Sequence, residues 1–380
     1  MQGRGDKFIP QMEPWFGEEE KRAICEYMDQ GGWLTEFKKT EEFESAIAKY
    51  TGSKHCIVVN NGTISLTLAA MACGIKPGDE VIVPNYTMIA TPNSIKMFSA
   101  VPVFVDVEID TLCLDLEEAK KAITKKTKAI FLVSANGRYP RSGIEAFVEL
   151  CEENKLALIE DAAQSMGSFY PNGRHIGTMG KVGSFSFSAP KVISTGQGGA
   201  IVTDDEDLAA RVRKLKDFGR TAGGTDIHDS IGYNFKFTEP QACIGIEQMK
   251  KLPWRVERKK AIYSLYRKQM KDVPQIRFFH QDLKRTTPWF IDVLVEDREG
   301  LRQYLKEKGI GTRPMYPPIN EQVAYRIPAD CPNSKIVGRM GLWLPSASQL
   351  TDEQVVHVCD SIKGWLSRAG YARGSSYQAG

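Results

Sequence analysis

The sequence predicts an α/β fold: a large domain over residues 1–250 with a mostly parallel central sheet, then a smaller α+β domain over residues 251–370 and a disordered tail over 371–380. Three observations predict it. Short apolar runs alternate with helix-patterned segments from Cys56 to Glu160, as repeated βα units do. The stretch Gly183–Val202, GSFSFSAPKVISTGQGGAIV, reads as strand, exposed turn, strand. Near Leu252 and Pro253 the pattern changes to a long charged helix, WRVERKKAIYSLYRKQM, expected to lead into the second domain.

The first helix is expected over Gly17–Gln30, with its acidic residues at the favourable end. In the second, Thr40 is the expected cap, Phe43, Ile47 and Tyr50 form the buried stripe, and Gly52 ends it. A strand at Cys56–Asn60 runs straight into the helical NGTISLTLAAMACG. Strands then follow at Glu80–Val83, Val101–Val107, Lys128–Val133 and Leu156–Glu160. The helices between them fall near Thr91–Met97, Leu114–Ile123 and Gly143–Glu153. Such apolar strands belong to a sheet covered on both faces. Past Val202 comes the amphipathic DDEDLAARVRKLKDFG, then a glycine-bearing loop that returns to a helix. The second domain is read as strand Pro288–Val295, helix Arg298–Lys308, the extended GTRPMYPP and a closing helix Asp352–Leu366.

Charge and composition exclude several classes. Fifty basic and 47 acidic residues leave a net charge of +3 with no long like-charge run, so neither nucleic acid nor a membrane surface is an expected partner. Eight cysteines stand singly, with no Cys-x-x-Cys pair, and the five histidines share no ligand spacing, so no metal is expected. The opening MQGRGDKFIPQ lacks the apolar core of a signal peptide, and the cytoplasm is the expected location.

In an open sheet of this kind the chemistry is sought at the carboxyl ends of the strands. Lys191 stands among apolar and small residues, where desolvation favours the neutral amine that attacks a carbonyl to form a Schiff base, although this stretch alone also reads as a solvated surface lysine. Asn61, Gly62 and Thr63 join a strand to a helix start, which suits a phosphate and equally suits a plain tight turn. Asp161 follows the apolar strand LALI, where a carboxylate needs a cationic partner unless it caps a helix. An anion cradle, a buried carboxylate and a Schiff-base lysine together are what pyridoxal 5′-phosphate requires.

With these residues assembled, the chain resembles the DegT/DnrJ/EryC1/StrS family of sugar aminotransferases from about Phe8 to Leu366. The motifs are GGWLTEFKKTEEFE, VVNNGTISL, GDEVIVPNYTMIATPNSI, PVFVDV, IEDAAQSMGS, GSFSFSAPK, GQGGAIVT, GYNFKFTEPQACIG and GTRPMYPP. The resemblance implies the fold-type I aminotransferase architecture and a homodimer with active sites completed across the interface. It implies that Lys191 is the Schiff-base lysine and Asp161 the pyridinium partner, with Gln164 near the cofactor's ring oxygen. Gly62, Thr63 and Ser186 match the phosphate binders, and Asn234 the asparagine that reaches the phosphate of the neighbouring subunit. Met88 stands where an aromatic ring usually covers the pyridine, with Tyr86 as the alternative. Gln197 stands in place of the usual glutamate, Asn320 in place of a frequent histidine, and NGRYP in place of the usual Tyr-Gly pattern.

The implied reaction is a two-step transamination from L-glutamate to a nucleotide-linked keto sugar. The opening motif and GTRPMYPP look most like enzymes that aminate C4 of 4-keto-6-deoxyhexoses, such as makers of GDP-perosamine or of dTDP- or UDP-linked 4-amino-4,6-dideoxyglucose. Arg313 and Tyr316 of that segment, with Asn320, are the candidate substrate binders, although Arg313 also reads as a structural surface arginine. Amination at C3 is the alternative. A branch with histidine in place of the lysine dehydrates its sugar, and a catalytically silent regulatory or ligand-binding relative would lack the lysine or the aspartate. Lys191 and Asp161 are both present.

Overall fold

The computed structural model describes residues 8–368, so the tail expected to be disordered lies outside the described residues. Two helices open the fold, α1 (Glu18–Gln30) and α2 (Lys38–Thr51). Gly52 ends α2 in the left-handed conformation. Thr40 does not cap it: Phe37 holds that position, and Thr40 lies in the first turn with its hydroxyl donating to Glu239 at 2.5 Å.

The βα alternation follows as β1 (His55–Val59), α3 (Gly62–Ala72), β2 (Glu80–Pro84), α4 (Ala90–Lys96), β3 (Val101–Val105), α5 (Leu116–Lys121), β4 (Thr127–Val133), α6 (Ile144–Asn154) and β5 (Ala157–Asp161). β6 (Val182–Ser186) and β7 (Gly199–Thr203) complete a seven-stranded sheet of order β1-β7-β6-β5-β4-β2-β3. The strands from β6 to β3 pair in parallel, while β7 is antiparallel to both its neighbours. β6 and β7 are joined by the segment that carries Lys191. That segment is exposed only around Gly196 and Gln197, with Val192–Thr195 buried.

Side chains along the central strands alternate between two cores, one on each face. Cys56, Val58, Ile82, Ile130 and Leu132 enter one; Ile57, Val59, Val81, Val83 and Phe131 enter the other.

After α7 (Glu206–Lys216), α8 (Glu239–Gln269) runs unbroken through Pro253. The change of pattern near Leu252 therefore marks no break, and residue 250 lies inside a helix. Proline costs a helix one backbone bond, but the flanking turns are anchored. Arg255 donates to Val192 O and Gln248 Oε1 through Nη1, and to Trp15 O through Nη2. The remaining elements are β8 (Arg277–Phe278), β9 (Ile291–Leu294), α9 (Arg298–Glu307), β10 (Arg313–Pro314), α10 (Pro332–Met340), β11 (Gly341–Leu344) and α11 (Asp352–Arg368). A four-stranded sheet of order β10-β11-β9-β8 packs with a third apolar cluster. α10 and β11 have no counterpart in the sequence reading. Among the described residues no helix is long and apolar enough to cross a membrane.

Candidate active site

The carboxyl ends of β1, β2, β5 and β6 open on a cavity of about 560 Å³, which the second sheet closes with Trp289, Arg313 and Tyr316. At one end, Asn61 caps α3 by accepting the N–H of Ile64 at 2.9 Å. The N–H groups of Gly62 and Thr63, first in the helix, have no acceptor one turn back. A Cβ on Gly62 would lie 2.8 Å from Ser186 Cβ, so glycine alone lets the helix start meet the end of β6. The result is a concavity of N–H and hydroxyl donors at the positive end of a helix dipole.

Asp161 ends β5 and is only 4% exposed. It accepts the hydroxyl of Thr91 at 2.7 Å and the N–H of Ala163 at 3.2 Å. Burial raises the pKa of its carboxyl, with those two donors and the charge of Lys191 opposing. Lys191 lies across the cavity with Nζ 4.2 Å from the centre of the Trp289 ring. Desolvation lowers its pKa to about 8; Asp161 opposes the shift and Arg313 adds to it. Both groups are thus biased toward neutrality by the same cause, desolvation on burial.

Gln164 also lines the cavity. Its carbonyl oxygen accepts the N–H of Asn136 at 2.7 Å. Met88 is in the wall, whereas Tyr86 is buried against the Tyr316 ring at 5.9 Å and stays out of it. Arg313 lies over the rings of Tyr316 and Trp343, and among the described residues it has no carboxylate partner.

The structure thus brings together Gly62, Thr63, Met88, Asp161, Gln164, Ser186, Lys191, Arg313 and Tyr316. It does not bring Asn234 or Asn320. Asn234 is exposed, in a bridge with Asp217, away from the cavity of its own chain. Asn320 is buried, and its amide is spent elsewhere. Its Oδ1 accepts from Asn85 Nδ2 at 2.8 Å, and its Nδ2 donates to Ile327 O at 3.1 Å.

Sequence reasoning missed Thr91 and Trp289. A threonine in the first turn of a short helix was a weak signal for the first. Trp289 had none, because only the packing of the second sheet delivers it.

The residues present fit pyridoxal 5′-phosphate. The glycine cradle is an anion site that a Cβ would fill, Asp161 is a buried carboxylate short of a cationic partner, and Lys191 is an amine with a depressed pKa.

A model of the DegT/DnrJ/EryC1/StrS aminotransferase family matches residues 16–363. The GDP-perosamine synthase of Escherichia coli O157:H7 is 36% identical over 365 residues, covering 95% of this chain and 99% of that protein. That of Vibrio cholerae is 33% identical over 369 residues, covering 94% and 99%. The crystal structure of DesI in the presence of its TDP-sugar product matches with a TM-score of 0.87 at 28% identity, over 97% of this chain and 96% of that one.

Proposed function

The chain belongs to the DegT/DnrJ/EryC1/StrS aminotransferase family, and from that premise we propose that it transfers the amino group of L-glutamate to C4 of a nucleotide-linked 4-keto-6-deoxyhexose. It is a pyridoxal-phosphate-dependent aminotransferase of the fold-type I architecture that acts on nucleotide sugars. The observation that carries the proposal is the convergence of Lys191, Asp161 and the Gly62–Ser186 cradle on one cavity. The C4 assignment is supported by the similarity to GDP-perosamine synthases over nearly the whole of both chains.

When bound, pyridoxal phosphate supplies an aldehyde for the incoming amine and a ring that withdraws electrons from the bonds to it. In the proposed roles, the N–H groups of Gly62 and Thr63 and the hydroxyl of Ser186 hold the phosphate. Asp161 keeps a proton on the pyridine nitrogen, and Gln164 directs its NH₂ at the ring oxygen. Met88 packs on the ring face with its polarizable thioether. Lys191 Nζ, freed as an amine, would take the proton from the α-carbon of glutamate and deliver it to the cofactor carbon on the far side of the transferred nitrogen. It performs the reverse transfer on the sugar carbon. The products are 2-oxoglutarate and a 4-amino-4,6-dideoxy sugar nucleotide. Arg313, uncompensated by any carboxylate among the described residues, is assigned with Tyr316 to the nucleotide phosphates.

We assign the working unit as a homodimer in which Asn234 serves the partner's phosphate site. Exposure of Trp33, Leu34, Ile227, Ile231 and Tyr233 supports it, since large apolar side chains left in the open favour a contact surface.

The test is the visible absorbance of the purified protein with pyridoxal phosphate. The bound-cofactor band should bleach with glutamate and return with one of the GDP-, dTDP- or UDP-4-keto-6-deoxyhexoses. Return only with a 3-keto sugar nucleotide would overturn the C4 assignment. Absence of any band would overturn the cofactor site.

A further inference from the structure

Asn136 lies in the short turn Ala135–Gly137 just past the end of β4, is 3% exposed, and has no part in the chemistry above. Its backbone is left-handed, with φ 56° and ψ 31°, a region that asparagine tolerates far better than most side chains. Three of its groups are committed to specific partners. Its N–H donates to Gln164 Oε1 at 2.7 Å. Its side-chain Nδ2 donates to Phe290 O at 2.7 Å, and its Oδ1 accepts Phe290 N–H at 2.5 Å. The amide thereby pairs with both backbone groups of Phe290, as a neighbouring strand would.

Each partner leads to the reactive centre. Gln164 can turn only its NH₂ to the cavity, because its oxygen is held. Phe290 follows Trp289, whose indole N–H donates to Pro190 O at 2.8 Å, the residue before Lys191. The Trp289 ring is the face against which Lys191 Nζ rests. Behind it, Lys259 Nζ donates to Trp289 O at 2.7 Å. One buried asparagine between β4 and β9 therefore touches the shell of the proposed cofactor site on two sides.

We propose that Asn136 is a positioning residue that holds Gln164 and the Trp289 wall beside Lys191 as a single unit. The proposal rests on the reading of the cavity as the pyridoxal phosphate site. It also accounts for asparagine in NGRYP: the position needs a left-handed backbone and a short side chain that both donates and accepts.

The experiment compares the wild-type chain with Asn136→Gly, which keeps the left-handed backbone and the N–H to Gln164 but removes the clamp on Phe290. The readouts are the pyridoxal phosphate dissociation constant, the pH midpoint of the visible band and the melting temperature. Asn136→Gly should weaken cofactor binding roughly threefold or more, and the effect should be non-additive with Trp289→Leu, because both changes release the same wall. The band midpoint should rise, since water admitted beside Lys191 Nζ favours the protonated, charged form of that nitrogen. Asn136→Asp, which keeps the shape but sets an oxygen against Phe290 O, should behave alike and serves if the glycine variant does not fold.

A lower melting temperature with unchanged cofactor affinity and band midpoint would overturn the proposal, as would strict additivity with Trp289→Leu. Failure of the wild-type protein itself to form a band would overturn the cofactor reading instead.

Discussion

At Asp161 and Lys191 the cost of burying charge and the requirement of the chemistry meet in the same atoms. Above pH 8 the lysine is predominantly neutral, and the carboxylate is left with only the Thr91 hydroxyl and the Ala163 N–H. A buried carboxylate so placed destabilises the cofactor-free fold. At pH 9 Asp161→Asn should therefore raise the stability of the cofactor-free protein by about 1 kcal/mol. The same change should lower kcat/KM by about 10²-fold or more, because a neutral amide cannot hold a proton on the pyridine nitrogen. Thermal melting without cofactor and steady-state kinetics with it check the two signs; loss of stability at pH 9 would contradict the account. These two residues were legible because each stands in a locally apolar run where a charged type is out of place. Trp289 and Thr91 were not, since nothing near them in sequence encodes the partner. Asn320 has its amide taken by Asn85 and the Ile327 carbonyl, partners that its own stretch of sequence does not encode.

At the scale of elements, α8 joins parts that the sequence presents as separate. At its start, Glu239 accepts the N–H groups of Phe37, Lys39 and Thr40 at 2.7–3.0 Å, placing a negative charge where α2 begins. Midway, Arg255 holds the carbonyl of Val192, next to Lys191, and Lys259 ties down Trp289 and Ser346. A carboxylate that serves four donors across two helices contributes more than a hydroxyl that serves one. Glu239→Ala should cost about 3 kcal/mol in unfolding free energy, against about 1 kcal/mol for Thr40→Val. Denaturant unfolding of both variants checks the ratio, and equal losses would return the capping role to Thr40. The alternation of strand and helix was readable because period and length encode it. The unbroken course of α8 through Pro253 was not, because long-range anchoring outweighs a local breaker. The antiparallel insertion of β7 was not readable either, because strand propensity carries no sign of direction.

The cavity of one chain contains the lysine, the carboxylate, the helix-start cradle and the arginine, yet one residue expected at the phosphate is elsewhere. Asn234 is exposed near Ile231 and Tyr233, so within its own subunit it has no route to Gly62 or Ser186. If the working unit is a dimer with Asn234 reaching across, each site is the product of two chains, and damage in different chains separates. Lys191→Ala destroys the site of its own subunit; Asn234→Ala damages that of the partner. Mixing the two inactive variants under exchanging conditions then gives hybrid dimers in which one site carries both defects and the other carries neither. Half the dimers in an equal mixture are hybrids, so activity should recover to roughly a quarter of the wild-type level. An asparagine acting within its own chain predicts no recovery, because every hybrid site would retain a defect. Lack of recovery in a mixture shown to exchange subunits would remove Asn234 from the partner's phosphate site, and leave the Lys191 and Asp161 assignments standing on the geometry of a single chain.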